Sequence, residues 1–179
     1  MGKRTTFEKR PRDFYATPAE AVSPVVIHLT NGQTFYEPCH GAGDLIQHLK
    51  SYGYECSGSG DIADGQDALS IEGVEGDVFI TNPPWTWKIL NPLINHLSGM
   101  KPTWLLLNAD LMHNKRMASH MRNCQKVVSV GRISWMQNGV SGFENCAWFL
   151  FDKRHNGNTE FYARAKDSEL FPTIKSYAA

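Results

Sequence analysis

Short apolar runs alternate with amphipathic stretches along this chain, and turn-forming residues separate them. Thr17-Pro18-Ala19-Glu20 has the pattern of a helix start: a hydroxyl to cap, proline at the first helical position and a glutamate at the third. The helix is expected to reach towards Leu29, with Pro24 set to kink or end it. Gln33 to Glu37 reads as a short strand stopped by Pro38. A helix is expected from Asp44, because Leu45, Ile46, Leu49 and Tyr52 fall at helical spacing and Gly53 closes it. Tyr54 to Ser59 is the next candidate strand, in spite of its serines and glycine. Asp77 to Thr81 is a buried strand halted by Pro83-Pro84, and Ile89 to Leu97 an amphipathic helix containing Pro92. Trp104 to Leu107 is a further buried strand. Leu111 to Met121 reads as a helix with Lys115 and Arg116 outside. Lys126 to Trp135 and Cys146 to Phe151 read as two late strands joined by a loop, and the tail from Asp152 has no clear period.

Strands alternating with helices imply an α/β chain, with an open, mostly parallel sheet covered by helices on both faces. In such sheets ligands bind beyond the carboxyl ends of the strands. That rule singles out Glu37 to Gly43, Asp61, Asp67 and Asn82 to Trp85. No internal repeat or low-complexity segment interrupts the pattern.

At 179 residues and 41% apolar content the chain has the size and core of one domain. Eighteen basic and eighteen acidic residues cancel, which excludes a uniformly basic nucleic-acid glue and an acidic tail protein. The charge is uneven, however: residues 1–12 hold five basic residues against Glu8, a short arm able to touch phosphates. No apolar run approaches the ~20 residues of a membrane span, and no secretory signal is expected. Cys39, Cys56, Cys124 and Cys146 are widely spaced, which reads as four reduced thiols in the cytoplasm, with no zinc ribbon or redox dithiol. The seven histidines form no ligand cluster, read as surface or loop residues, and leave no metal site expected.

The turn Glu37-Pro38-Cys39-His40-Gly41-Ala42-Gly43 joins a strand to a helix, and its two glycines let a ligand approach the backbone. The dinucleotide fingerprint needs a third glycine at position 46, where this chain has Ile46. Glu37 would repel a diphosphate but suits a cation such as an amino group or a sulfonium. Asp61, about twenty residues on, is placed to accept ribose hydroxyls. Asp67 is a candidate acceptor for an exocyclic amine.

Asn82-Pro83-Pro84-Trp85 is the most specific signal. Two prolines remove two N–H donors and stiffen the backbone, so the Pro83 carbonyl is held outward beside the Asn82 side-chain oxygen. Two fixed acceptors suit one planar NH2 group, and Trp85 offers a face for stacking a heteroaromatic ring.

Three stretches, in order, resemble the motifs of class I S-adenosylmethionine-dependent methyltransferases of the amino-group type, most similar to DNA N6-adenine methyltransferases. They are Asp13-Phe14-Tyr15-Ala16-Thr17-Pro18, Glu37 to Gly43, and Asn82 to Trp85. The resemblance covers residues 13–151. It implies a Rossmann-like, mostly parallel seven-stranded sheet with its last strand antiparallel, the hairpin Lys126 to Phe151 supplying the final two strands. It also implies S-adenosylmethionine as cofactor. Gly41 and Gly43 then line its methionine end beside Pro38, with Glu37 near the amino group. Asp61 holds the ribose, Asp67 the adenine amine and Ala68 the ring, while Phe14, Tyr15 and Thr17 close the methionine side. Asn82, with Pro83 and Pro84, orients the acceptor amine, and Trp85 stacks on its base. Trp87, Trp135 and Phe143 are candidates to shape the acceptor pocket, although core packing is their ordinary use.

The implied reaction is methylation of the exocyclic N6 amine of adenine in DNA. RNA adenine and protein glutamine are alternative acceptors, and a catalytically silent cofactor-binding subunit acting through a partner is the alternative outside the enzymes. Residues 152–179 and 108–125 are too short for a separate target-recognition domain. Sequence reading would fall to loops such as Met136 to Asn145, to a second subunit or specificity partner, or to nothing. The size fits a bacterial or bacteriophage protein acting in the cytoplasm.

Overall fold

The computed structural model describes residues 15–136, 140 and 142–165. The basic arm 1–12, Phe14 and residues 166–179 of the tail lie outside the described residues.

Seven strands form one sheet: β1 (Thr34–Glu37), β2 (Glu55–Ser59), β3 (Val78–Thr81), β4 (Thr103–Asn108), β5 (Cys124–Arg132), β6 (Asn145–Phe151) and β7 (Glu160–Tyr162). Their spatial order is β2-β1-β3-β4-β6-β5-β7. Strands β1 to β4 pair in parallel, β6 runs antiparallel to both β4 and β5, and β7 is parallel to β5. The expected mostly parallel seven-stranded sheet is therefore present. Its antiparallel strand is the sixth in the chain, and the seventh comes from the tail that showed no period.

The apolar runs are continuous because both faces of the sheet are covered. Successive side chains alternate between two cores. Val78, Ile80, Trp104, Leu106, Trp148 and Leu150 pack with α1 (Ala19–Val26) and α2 (Asp44–Ser51). Leu105, Leu107, Phe149 and Phe151 face the other way, where Leu90 and Ile94 of α3 (Trp87–Met100) meet them. Phe79 packs on that side too, against Leu93 and Leu97. The Trp148 indole N–H donates to the Ala21 carbonyl at 2.7 Å and ties α1 to the middle of the sheet.

Four local expectations need correction. Thr17 does not cap α1. Pro18 occupies the cap position without a side-chain bond, and the Thr17 hydroxyl accepts from Asn82 instead. The helix also runs through Pro24 to Val26. The single helix over Leu111 to Met121 is absent: two 3₁₀ turns, Ala109–His113 and Lys115–Met117, precede a four-residue α4 (Ala118–Met121). The Asn108 side chain accepts from the Asp110 N–H, and Asn114 is extended (φ −79°, ψ 132°), so local asparagine turns replace helix propagation. Finally, His120 is buried rather than a surface residue, with Nε2 at 2.8 Å from the Asn91 side-chain oxygen.

Candidate functional site

In the order β2-β1-β3 the central strand is β1, and the connections leave it towards opposite sides. A crevice opens where the chain diverges, beyond the carboxyl ends of these parallel strands. It has a volume of about 120 Å³, room for a small organic group rather than a lone water. Each strand contributes its end: Glu37 from β1, Asp61 just past β2 and Asn82 just past β3, with Tyr15, Ala16 and Thr17 forming a further wall.

The glycine turn is built as its sequence requires. Gly41 and Gly43 have φ of 55° and 84°, the left-handed region that glycine enters without a Cβ penalty. The Gly43 N–H donates to the His40 carbonyl at 2.7 Å, and α2 starts at Asp44. Asp61 then links the ends of β1 and β2. One of its oxygens accepts from the Gly41 N–H at 2.9 Å, the other from the Ala63 N–H at 2.8 Å. His40 adds a second strap, with Nδ1 at 2.9 Å from the Gly41 carbonyl and Nε2 at 2.9 Å from Asp64.

Glu37 is 1% exposed, and its Oε2 has no hydrogen-bond partner among the described residues. Burial, reinforced by the charges of Asp61 and Asp44, raises its pKa well above the usual carboxylate range. A buried acceptor without a donor, opening on a crevice, is a site for a cation or a donor from outside the chain. Cys39 lines the same crevice. Its burial, together with the neighbouring carboxylates, pushes the thiol up to about 12, so it remains a neutral thiol.

At the other end, the diproline stops β3 at Thr81, although β4 continues to Asn108. The Leu106 carbonyl lies beyond the last β3–β4 pair, and the Trp85 indole N–H donates to it at 3.0 Å. The Asn82 amide nitrogen donates to the Thr17 hydroxyl at 3.2 Å and to the Tyr15 carbonyl at 3.4 Å. A carbonyl only accepts, which fixes the amide orientation and turns its oxygen the other way. Among the described residues no group donates to that oxygen or to the Pro83 carbonyl.

Of the residues expected at the site, Tyr15, Thr17, Glu37, Gly41, Asp61, Asn82 and Pro84 line the crevice. Pro38, Gly43, Asp67 and Ala68 do not. Asp67 caps a 3₁₀ turn through the Leu69 N–H, and Ala68 is buried against Phe79 and Leu93. The wall expected from them is supplied by Ile62 and Ala63. Pro83 is buried. Trp85 meets Trp135 edge-on at 5.7 Å, and Trp135 reaches Tyr15 at 5.9 Å. Trp87 belongs to a different group, with Arg116 and His120. The sequence carries no signal of the His40–Asp64 bond: His40 lies in the glycine turn and lines the crevice, whereas Asp64 is 24 positions on.

No protein-family model matches the chain, and no curated protein matches it in sequence. Solved structures do. A protein of Listeria monocytogenes described as a class I S-adenosylmethionine-dependent methyltransferase matches at TM-score 0.53 and 11% identity, over 88% of this chain and 67% of its own. The methyltransferase subunit of a type I restriction-modification system from Streptococcus thermophilus matches at 0.53 and 10%, over 91% and 53%. A dimethyladenosine transferase from Plasmodium falciparum matches at 0.50 and 13%, over 79% and 63%. The chain thus spans between about half and two thirds of the length of these proteins. At such identities the likeness is one of architecture: the chain has the Rossmann-like fold of class I methyltransferases.

Proposed function

We propose that this chain is an S-adenosylmethionine-dependent N-methyltransferase whose acceptor is the exocyclic N6 amine of adenine in DNA. One observation carries the reading: a single crevice joins the buried, unpartnered Glu37 carboxyl to the Asn82 corner. When bound, the cofactor supplies a methyl group on a positively charged sulfur that departs as a neutral thioether.

The residues present suit that group. Glu37 meets its amino group, the donor that the orphaned oxygen lacks. The Gly41 turn and the start of α2 flank its methionine end. Asp61 accepts ribose hydroxyls with the lone pairs left over from Gly41 and Ala63. Asn82 and the Pro83 carbonyl accept hydrogen bonds from the two N–H groups of the acceptor amine. That draws the nitrogen lone pair out of ring conjugation and stabilises the positive charge developing there. The methylated, positively charged nitrogen then loses one proton to solvent. Thr17 and Tyr15 hold the Asn82 amide so that its oxygen needs no reorganisation when the amine arrives. The remainder is placement of nitrogen against methyl, a proximity effect. A base in a duplex must first leave the stack.

The presence of a restriction-modification methyltransferase and a dimethyladenosine transferase among proteins of this fold supports an adenine acceptor. The test is transfer from methyl-labelled cofactor to DNA, RNA and protein pools, followed by nucleoside mass spectrometry. N6-methyladenine in the DNA is expected. Label confined to RNA or to glutamine would replace the acceptor. Tight cofactor binding with no transfer to any pool would overturn the enzyme reading in favour of a silent subunit.

A further inference from the structure

Resting on that reading, we infer that the exposed surface around Trp87 carries the phosphate backbone of the nucleic acid whose base enters the Asn82 corner. Trp87 opens α3, two residues after Trp85, and is held from two sides. The Arg116 guanidinium lies 4.6 Å from its ring centroid, and His120 packs edge-on at 5.8 Å while bonded to Asn91 of α3. The broken segment Lys115–Met121 is thereby fastened to the start of α3. Arg116 is exposed, and so are Lys88 and Lys115, the chain neighbours of Trp87 and Arg116. None has a carboxylate partner: the ion pairs among the described residues are His40–Asp64 and Arg154–Asp152. Residues 78–109 contain no aspartate or glutamate at all.

The zero net charge hides a polarity across the sheet. Residues 34–77, which include β1 and β2, hold nine carboxylates against Lys50. Residues 78–132, which include β3, β4 and β5, hold seven lysines and arginines against Asp110. A polyanion is repelled from the cofactor end and drawn to the acceptor end, so the field orients the encounter. A stacked guanidinium flanked by two unpaired ammonium groups suits successive phosphates, which position a strand without reading its sequence.

The experiment compares wild type with the double variant Lys88→Glu, Lys115→Glu, both changes being on exposed side chains. Binding to fluorescent single-stranded and duplex oligonucleotides is followed across a salt series. For the duplex, the slope of log affinity against log salt is expected to shrink by about 0.9 for each lost phosphate contact, with affinity falling about tenfold or more. Melting temperature, cofactor affinity and transfer to free deoxyadenosine should match wild type, while KM for the oligonucleotide rises. Unchanged oligonucleotide affinity and slope in the variant would overturn this surface, and would leave the acceptor proposal intact if wild type methylates DNA. Wild type that binds oligonucleotide through these lysines but methylates no adenine would uphold the surface and sink the acceptor. Wild type that ignores oligonucleotides and engages an acidic protein here would overturn it too.

Discussion

The two ends of the crevice show two ways of making a site. At the ends of β1 and β2 the chain is tied to itself: Asp61 bonds two backbone N–H groups, His40 bridges to Asp64, and the glycine turn closes on His40. Among the described residues there, Glu37 Oε2 is left wanting a partner. At the end of β3 the chain does the opposite. Two prolines withdraw donors, Asn82 lines the crevice and commits its nitrogen inward, and among the described residues nothing donates to its side-chain oxygen or to the buried Pro83 carbonyl. The first end is a preformed cradle for one molecule. The second is a pair of acceptor oxygens beside the Trp85 ring, which packs edge-on against Trp135. On the proposed reading, the carboxylates that build the cradle repel a nucleic acid, and the Asn82 corner lies on the other side of β1 from Asp61.

The sharpest way to separate the ends is Asn82→Ala. It removes an acceptor that strengthens as charge develops on the amine, so kcat should fall by about 10³-fold. Cofactor affinity should drop only severalfold, through loss of the long bonds to Tyr15 and Thr17. Single-turnover transfer and calorimetry on the same sample check both. A collapse of cofactor binding would merge the two ends into one.

Asp61→Ala is the mirror experiment. It frees the Gly41 and Ala63 N–H groups and removes charge-assisted bonds between β1 and β2. Cofactor affinity should fall about a hundredfold, or about 2.7 kcal/mol, with kcat at saturation little changed. Equal affinity in the variant would take Asp61 out of the cradle.

Glu37→Gln has a smaller effect on affinity and a distinctive pH signature. A carboxyl whose folded pKa is raised contributes stability that is present below its unfolded value of 4.5 and lost as pH rises. Ligand-free wild type should therefore lose ground to the variant from about pH 4.5 upward, by about 1–2 kcal/mol at neutral pH. Cofactor affinity should fall about tenfold, because the amide cannot neutralise an amino group. Wild type should also release a proton on binding, as the cation draws Glu37 into its ionised form. Titrations in buffers of different ionisation enthalpy measure that release. Identical pH–stability curves for the two proteins would show that Glu37 is charged and satisfied before any ligand arrives.

Much of this division can be read from residues alone, and the exceptions share a cause. The buried strands are legible because runs such as Trp104 to Leu107 and Trp148 to Phe151 feed two cores at once. The acids at the strand ends follow from the rule for open parallel sheets. The single helix over Leu111 to Met121 fails because Asn108 offers the Asp110 N–H a non-helical bond and Asn114 is extended, which period alone does not weigh. Strand β7 is three residues on a sheet edge, too short for any pattern. The His40–Asp64 strap and the Thr17–Asn82 bond join residues 24 and 65 positions apart, so neither is visible before the chain folds. Asp67 and Asp61 look alike in sequence. One caps a local turn beside the crevice and the other reaches across to Gly41.

The mildest test falls on that Thr17–Asn82 bond, where the two ends meet. Thr17 is 5% exposed and lines the crevice, so it belongs by position to the cofactor side, yet its hydroxyl serves Asn82. Thr17→Val keeps the shape and removes the acceptor. The Asn82 amide then retains only the 3.4 Å bond to the Tyr15 carbonyl, and its side chain gains rotational freedom. The cost is one modest hydrogen bond, about 1 kcal/mol, so kcat should fall about fivefold while cofactor affinity stays within twofold. Thr17→Ser restores the hydroxyl and should restore kcat, which a purely steric role would not. If Thr17→Val instead weakens the cofactor and spares kcat, Thr17 is part of the cradle, and the orientation of Asn82 has another origin.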